Sequence, residues 1–239
     1  MNAHVLAGDA LSDVFGQSGV GGKVVVFREA LITGDLDGET LDEFWNTRAN
    51  FVELEYGADP IEYHDNLAVE LVGLLDLGEG DEVNLWFEHE LFCAVNMWFC
   101  LDLLRSTSAT LCRVSPLDTG HVWDGFGKHT PEEVAMCYRR REVFTSEDIE
   151  LAANLWSAFR MRDGAALIRL GSEGSPRFPH LKEVCEAAAE VDTKPREIVR
   201  RLKASGLKEM ATLFPEFRKA AGVFGFGDTQ VEKLMNSEQ

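Results

Sequence analysis

Five side chains in the first half of the chain have the types and positions for chemistry on a small polar molecule: Asp9, Arg28, Glu29, His89 and Glu90. Each follows a short β-branched or aromatic run. Gly8-Asp9 comes after His4–Ala7, Arg28-Glu29 after Lys23–Phe27 (KVVVF), and Glu88-His89-Glu90 after Glu82–Phe87 (EVNLWF). If these runs are parallel strands of an open sheet, their carboxyl ends share one edge, which is where such sheets bind ligands. The carboxylates Asp9, Glu29 and Glu90 would then hold ligand hydroxyls or a hard cation, with magnesium the cofactor that few bases and several carboxylates imply. Arg28 suits a phosphate or carboxylate gripped by two hydrogen bonds. His89 suits proton transfer near neutral pH, with Asp9 the second candidate catalytic group.

The same residues also suit plainer duties. Asp9 or Ser12 fits the cap of a helix over Asp9–Gln17, and Glu90 the cap of the helix that begins near Leu91. Arg28 fits an ion pair with Glu29 or another acid of this region.

Positioning these groups requires strands alternating with helices, and the front half reads that way. Three consecutive valines in KVVVF suit a strand buried on both faces. Thr40 with Glu43 forms a capping box for a helix to about Tyr56. Asp59-Pro60 breaks the chain before a helix over Ile61–Leu77, with Leu67, Leu71, Leu74 and Leu75 on one side. Leu91–Arg105 is an apolar helix and Thr110–Val114 a fourth strand. Alternation of this kind implies parallel pairing and right-handed crossovers.

Beyond Pro116 the pattern changes. Residues 118–129 have no clear period. Thr130-Pro131-Glu132-Glu133 is a helix start, Thr145 caps another helix, and helical patterns continue over His180–Val191, Pro195–Ala204, Lys208–Ala220 and Thr229–Met235. The expectation is an α/β fold: an N-terminal three-layer, open, mainly parallel sheet with helices on both faces (residues 1–116), a linking loop (117–129) and an all-helical C-terminal region (130–239).

Charge narrows the partners. Residues 1–120 carry 22 acids against 5 bases, and residues 121–239 carry 19 against 18. So acidic a front half repels phosphate backbones, which makes nucleic acid an unlikely partner for it. The back half is undecided: Arg196, Arg200, Arg201 and Lys203 crowd one helix, but interleaved glutamates make a solvated amphipathic face the default. No window approaches the ~18 uninterrupted apolar residues of a membrane span, and Met1–Gly8 lacks the bases that open a secretory signal, so the expected location is the cytoplasm. Five cysteines without a CxxC pair argue against a disulfide framework or structural zinc; Cys93 and Cys100 share one face of the apolar helix as buried thiols.

Several motifs fail. In Gly16–Lys23 (GQSGVGGK) the lysine is misplaced and the segment enters a strand, whereas a phosphate loop enters a helix. No GxGxxG follows the first strand and no GxSxG elbow occurs.

The stretches His4-Val5-Leu6-Ala7-Gly8-Asp9, Phe27-Arg28-Glu29-Ala30-Leu31 and Trp86 through Asn96 (WFEHELFCAVN) resemble an uncharacterised bacterial family, domain of unknown function 1835. The likeness covers roughly residues 3–115, with a weaker continuation from Thr145 to Phe159. Two departures stand out. Ile32-Thr33-Gly34-Asp35 replaces the family's Gly-Pro turn, and Glu29 and Glu90 stand where aspartate is expected. The resemblance implies no reaction; it implies that the signature residues coincide with the strand-end set. The functional expectation is a ligand-binding, or catalytic, α/β domain for a phosphorylated or nucleotide-like small molecule. The alternative is a non-catalytic regulatory or adaptor protein whose helical half binds a protein or nucleic-acid partner.

Overall fold

The computed structural model describes residues 1–237. Five strands form one sheet: β1 (Asn2–Leu6), β2 (Lys23–Val26), β3 (Glu82–Trp86), β4 (Thr110–Val114) and β5 (Glu142–Val143), in the order β2-β1-β3-β4-β5. The first four are parallel; β5 is antiparallel to β4. Val5 stands opposite Val25 on one side and Leu85 on the other, and Leu85 opposite Arg113.

The strand period of two sorts side chains to two faces. Ala3, Val5, Val25, Val83, Leu85 and Leu111 face the larger core. There they meet α2 (Leu41–Tyr56), α3 (Pro60–Tyr63), α4 (Val69–Val72) and α5 (Leu91–Leu104). Leu6, Trp86 and Val114 face a smaller core with Leu11 and Phe15 of α1 (Asp9–Phe15) and Val134 and Cys137 of α6 (Pro131–Arg139). The fold is therefore α/β in three layers, as the alternation predicts. His4 lies in the smaller core, buried against Phe15, Trp86 and Tyr138. Trp86 Nε1–H donates to His4 Nδ1 at 3.1 Å, so the imidazole proton sits on Nε2 and points to the Gly21 carbonyl at 3.2 Å. Burial lowers the pKa of this histidine.

Local sequence explains most helix limits. Thr40 and Glu43 form the expected capping box, and Thr130/Glu133 and Thr145/Asp148 form two more. The expected helix over Ile61–Leu77 is not uniform. Asp59 caps α3 with Pro60 in its first turn, the pitch widens to π over His64–Ala68, and α4 tightens to 3-10 over Gly73–Asp76. Leu67, Leu71 and Leu74 still reach the core.

α5 joins the two halves. It is apolar on nearly every side, with Asn96 and Asp102 its polar residues, as suits a helix that is mostly enclosed. The sheet covers one side of it and α7 (Ser146–Arg160) another. The larger core runs without interruption from Val5 through Trp98 and Trp156 to Val231. It takes in α8 (Gly164–Gly171), α9 (Leu181–Ala189), α10 (Lys194–Ala204), α11 (Met210–Ala221) and α12 (Asp228–Ser237). Fully burying one aliphatic or aromatic side chain such as Trp98 contributes about 2–3 kcal/mol. The C-terminal region is helical apart from β5, whose two residues are too few to leave a periodic signal in sequence. Segment 117–129 lies against the body: Phe126 is buried, and His129 Nε2 accepts the Leu117 amide at 2.9 Å.

Candidate functional site

β1 and β3 are neighbours, yet β1 leads to β2 on one side and β3 to β4 on the other. The chain thus diverges at the carboxyl ends of these two strands, where an open sheet leaves a crevice. Gly8-Asp9 and Glu88-His89-Glu90 occupy those ends.

Asp9 lies in the first turn of α1, whose N-cap is Gly8; no side chain caps this helix. Instead the Asp9 carboxylate takes both Arg28 Nε, at 2.9 and 3.0 Å, and Arg28 Nη2, at 2.7 Å. Both side chains are more than half exposed. Arg28 therefore grips Asp9, the acid 19 residues before it, and the two charges neutralise each other at the rim.

Glu29 turns the other way. Its carboxylate is sealed inside the larger core by Arg48 Nη2 at 2.6 Å, Arg48 Nε at 3.1 Å and Tyr63 Oη at 2.6 Å. Arg48 Nη1 donates onward to the carbonyls of Thr33 and Asp35. Asn96 of α5 completes the clamp, donating to the Glu29 carbonyl at 3.0 Å and accepting the Leu31 amide at 3.3 Å. This is a structural ion pair that fixes the exit from β2. Burial beside the Glu29 charge pushes the Tyr63 phenol far above its ordinary range.

Glu90 caps α5, with Oε1 accepting the Cys93 amide at 3.2 Å; its other oxygen, Oε2, is buried without a hydrogen-bond partner. Glu88 reaches back to the loop, where Oε1 accepts the Phe126 amide at 2.7 Å. One oxygen from each of these carboxylates and the Cys93 thiol lie within 4.8 Å of one another. Among the described residues this is the group spaced to hold a metal ion, and neither Asp9 nor Glu29 belongs to it. The expected trio of Asp9, Glu29 and Glu90 does not converge, because the rim arginine holds the first and the core arginine the second. Burial pushes the Glu90 carboxyl up to about 8, helped by the Glu88 charge, and burial also raises Glu88.

His89 faces Arg113 and His180. Arg113 Nη2 donates to His89 Nδ1 at 3.1 Å; arginine has no acceptor, so His89 carries its proton on Nε2. Burial, with the Arg113 charge added, depresses its pKa to about 4, so the ring is neutral at physiological pH. Arg113 is itself buried. Its other partners are Ser115 Oγ and Met97 Sδ, and burial brings it down to about 10. His180, in the left-handed region at φ 64°, places its ring between those of His89 and Trp123, at 5.8 and 5.6 Å.

Above Glu88 and Glu90 opens a cleft of about 1120 Å³. Its walls are segment 120–128 on one side and residues 214–227 on the other. Trp123, Phe214 and Phe226 supply aromatic surface; Lys128, Arg218 and Lys219 bring positive charge. Two glycines shape the floor. A Cβ on Gly125 would lie 1.7 Å from the Glu88 carboxyl, and one on Gly225 would lie 2.6 Å from Glu90 Cγ. Both loops approach the carboxylates as closely as backbone allows.

Sequence reasoning chooses His89 and Glu90 at this strand end, reads Cys93 as a buried core thiol, and passes over Glu88 and the whole far wall. The available signals are the acids at i and i+2 and the glycine-rich turn Gly222–Asp228 (GVFGFGD). The basic face of α10 serves in part to hold α12, through Arg196 to Ser237 Oγ and Lys203 to the Met235 carbonyl.

No protein-family model, curated protein or solved structure matches the chain. No described helix is long and apolar enough to cross a membrane.

Proposed function

We propose that this protein binds a nucleotide-like small molecule, a planar ring bearing a phosphorylated arm, in the cleft at the carboxyl edge of its sheet. The observation that carries the reading is the position of that cleft: it opens over Glu88 and Glu90, at the carboxyl end of the central strand β3. Its size suits a whole nucleotide, as ligand sites commonly span roughly 300–1,000 Å³. Trp123 and Phe226 offer faces for a ring, and base stacking on such side chains contributes about 1–3 kcal/mol. Arg218 and Lys219 suit the arm, and the half-buried carboxyl of Glu88 with the buried one of Glu90 suits ribose hydroxyls or a cation carried with the ligand.

Thermal unfolding in the presence of nucleotides and sugar phosphates, with and without divalent ions, tests this. A ligand at a hundredfold excess over Kd adds about 2.7 kcal/mol, or roughly 5–10 °C for a chain of this size. Trp123→Ala and Arg218→Gln should abolish the shift. A flat response to the whole panel in the wild type removes the proposal.

A further inference from the structure

We propose that Glu88, Glu90 and Cys93 form a divalent-metal site of the zinc class at the floor of the cleft, with an open coordination position facing it. The donors sit together: one oxygen of each carboxylate and the Cys93 sulfur fall within 4.8 Å of one another. Metal–ligand bonds of about 2.0–2.3 Å set tetrahedral donors roughly 3.3–3.8 Å apart, so side chains within this bound close on an ion by movements of about 1 Å. The independent observation is Glu90 Oε2. The residue is 5 % exposed, and this oxygen has no hydrogen-bond partner although its twin caps α5. A buried polar atom left bare costs about 1–3 kcal/mol, and among the described buried side-chain atoms without a partner this is the one carboxylate oxygen.

The surroundings fit a cation. Two carboxylates and a thiolate bring three negative charges, and the buried Arg113 guanidinium, which senses both Cys93 and Glu90, supplies one positive. A divalent ion balances the remainder. The thiol decides the metal: magnesium and calcium take oxygen donors, whereas zinc accepts sulfur and carboxylate together. The three protein donors are already oriented. The Phe126 amide holds Glu88, the Cys93 amide holds Glu90, and Cys93 is fixed in the first turn of α5. Glu88 and Glu90 both line the cleft, which is the entry path. Three protein ligands leave the fourth position of a tetrahedron for water or for a ligand atom, the pattern of catalytic rather than structural zinc.

This inference rests on the cleft being a ligand site, but its test is separate. Cobalt(II) is the probe, added to the full chain after chelation and dialysis. One bound equivalent should give a near-ultraviolet thiolate-to-cobalt band, which zinc then displaces. Cys93→Ser should lose the band, and Glu88→Gln and Glu90→Gln should weaken cobalt by about 10–100-fold or more, the loss produced even by changes around a metal site. Circular dichroism of each variant confirms folding, and Glu88→Gln, the least buried change, keeps the test valid if another variant unfolds. Failure of the wild type to take up cobalt, or uptake without the thiolate band, or a band that survives Cys93→Ser, overturns the site. Trp123→Ala alters the cleft wall and not the donors, so it should keep the band. A protein with the band but no nucleotide response keeps the metal site and loses the cleft reading; a nucleotide response without the band does the reverse.

Discussion

Arg48 Nη2 lies 2.6 Å from Glu29 Oε1, and neither side chain has any surface in contact with solvent. Their sequence separation is 19 residues, the same as that between Arg28 and Asp9, yet the two pairs live in different media. Removing one member of a buried pair leaves the other charge uncompensated, which costs about 3–5 kcal/mol. Arg48→Met should therefore lower stability by that amount in urea unfolding. Glu29→Gln should cost as much, because it leaves the Arg48 charge uncompensated and turns an amide NH2 toward donors that the carboxylate accepts. A loss under ~1 kcal/mol for Arg48→Met would show that the core tolerates a bare Glu29.

The Asp9–Arg28 pair predicts the opposite. Both partners are more than half exposed, and pairs of this kind contribute about 0–1 kcal/mol, less in salt. A double-mutant cycle with Asp9→Ala and Arg28→Ala should give a coupling within that range at low ionic strength and close to zero in strong salt. A larger, salt-resistant coupling would mark the pair as part of a desolvated site.

His89 and Glu90 give the stability profile two limbs. His89 is depressed to about 4 in the folded chain by burial and Arg113. Between its unfolded value near 6.5 and 4, the unfolded chain binds the extra proton, so stability falls with falling pH, by about 3 kcal/mol in all. Glu90 is raised to about 8 by burial and the Glu88 charge. Its contribution is whole below the ordinary glutamate range and is lost as pH climbs through 8, because there the folded chain holds the proton that the unfolded chain has released. In chelator, His89→Gln should flatten the acid limb and Glu90→Gln the alkaline one. Urea midpoints measured from pH 4 to 9 check both, and unchanged limbs in the variants would reassign them.

Gly225 and Gly57 share the left-handed conformation, at φ 69° and 68°. Alanine there costs about 1–2 kcal/mol from the backbone alone. Around Gly57 the space is open, so Gly57→Ala should cost only that. At Gly225 the new methyl also meets Glu90 Cγ at 2.6 Å, and overpacking adds about 1–3 kcal/mol. Equal midpoints for the two variants would mean that residues 222–227 do not press on Glu90.

Segment by segment, much of the molecule is legible in local pattern. The valines of β2, the capping boxes at Thr40 and Thr130, and the mainly apolar run of α5 each specify their element, because backbone sterics and short-range hydrogen bonds act within a few residues. The departures come where a distant partner decides. β5 exists because β4 offers it an edge, and the pitch of the helical stretch from Pro60 changes under the core it must fit.

The carboxylates divide on the same line. Sequence alone put acids at the ends of β1, β2 and β3, since strand limits and residue order are local. It assigned Glu90 both a cap and a site, and the structure keeps the cap while leaving Oε2 bare. Only the tertiary structure decided what each acid meets: Asp9 meets Arg28, Glu29 meets Arg48, and Glu88 and Glu90 meet Cys93 and loops 35 or more residues away. The physical reason is that a carboxylate's role is set by the charges and donors within about 4–6 Å of it. Chain order fixes which strand end bears an acid, and packing fixes its neighbours.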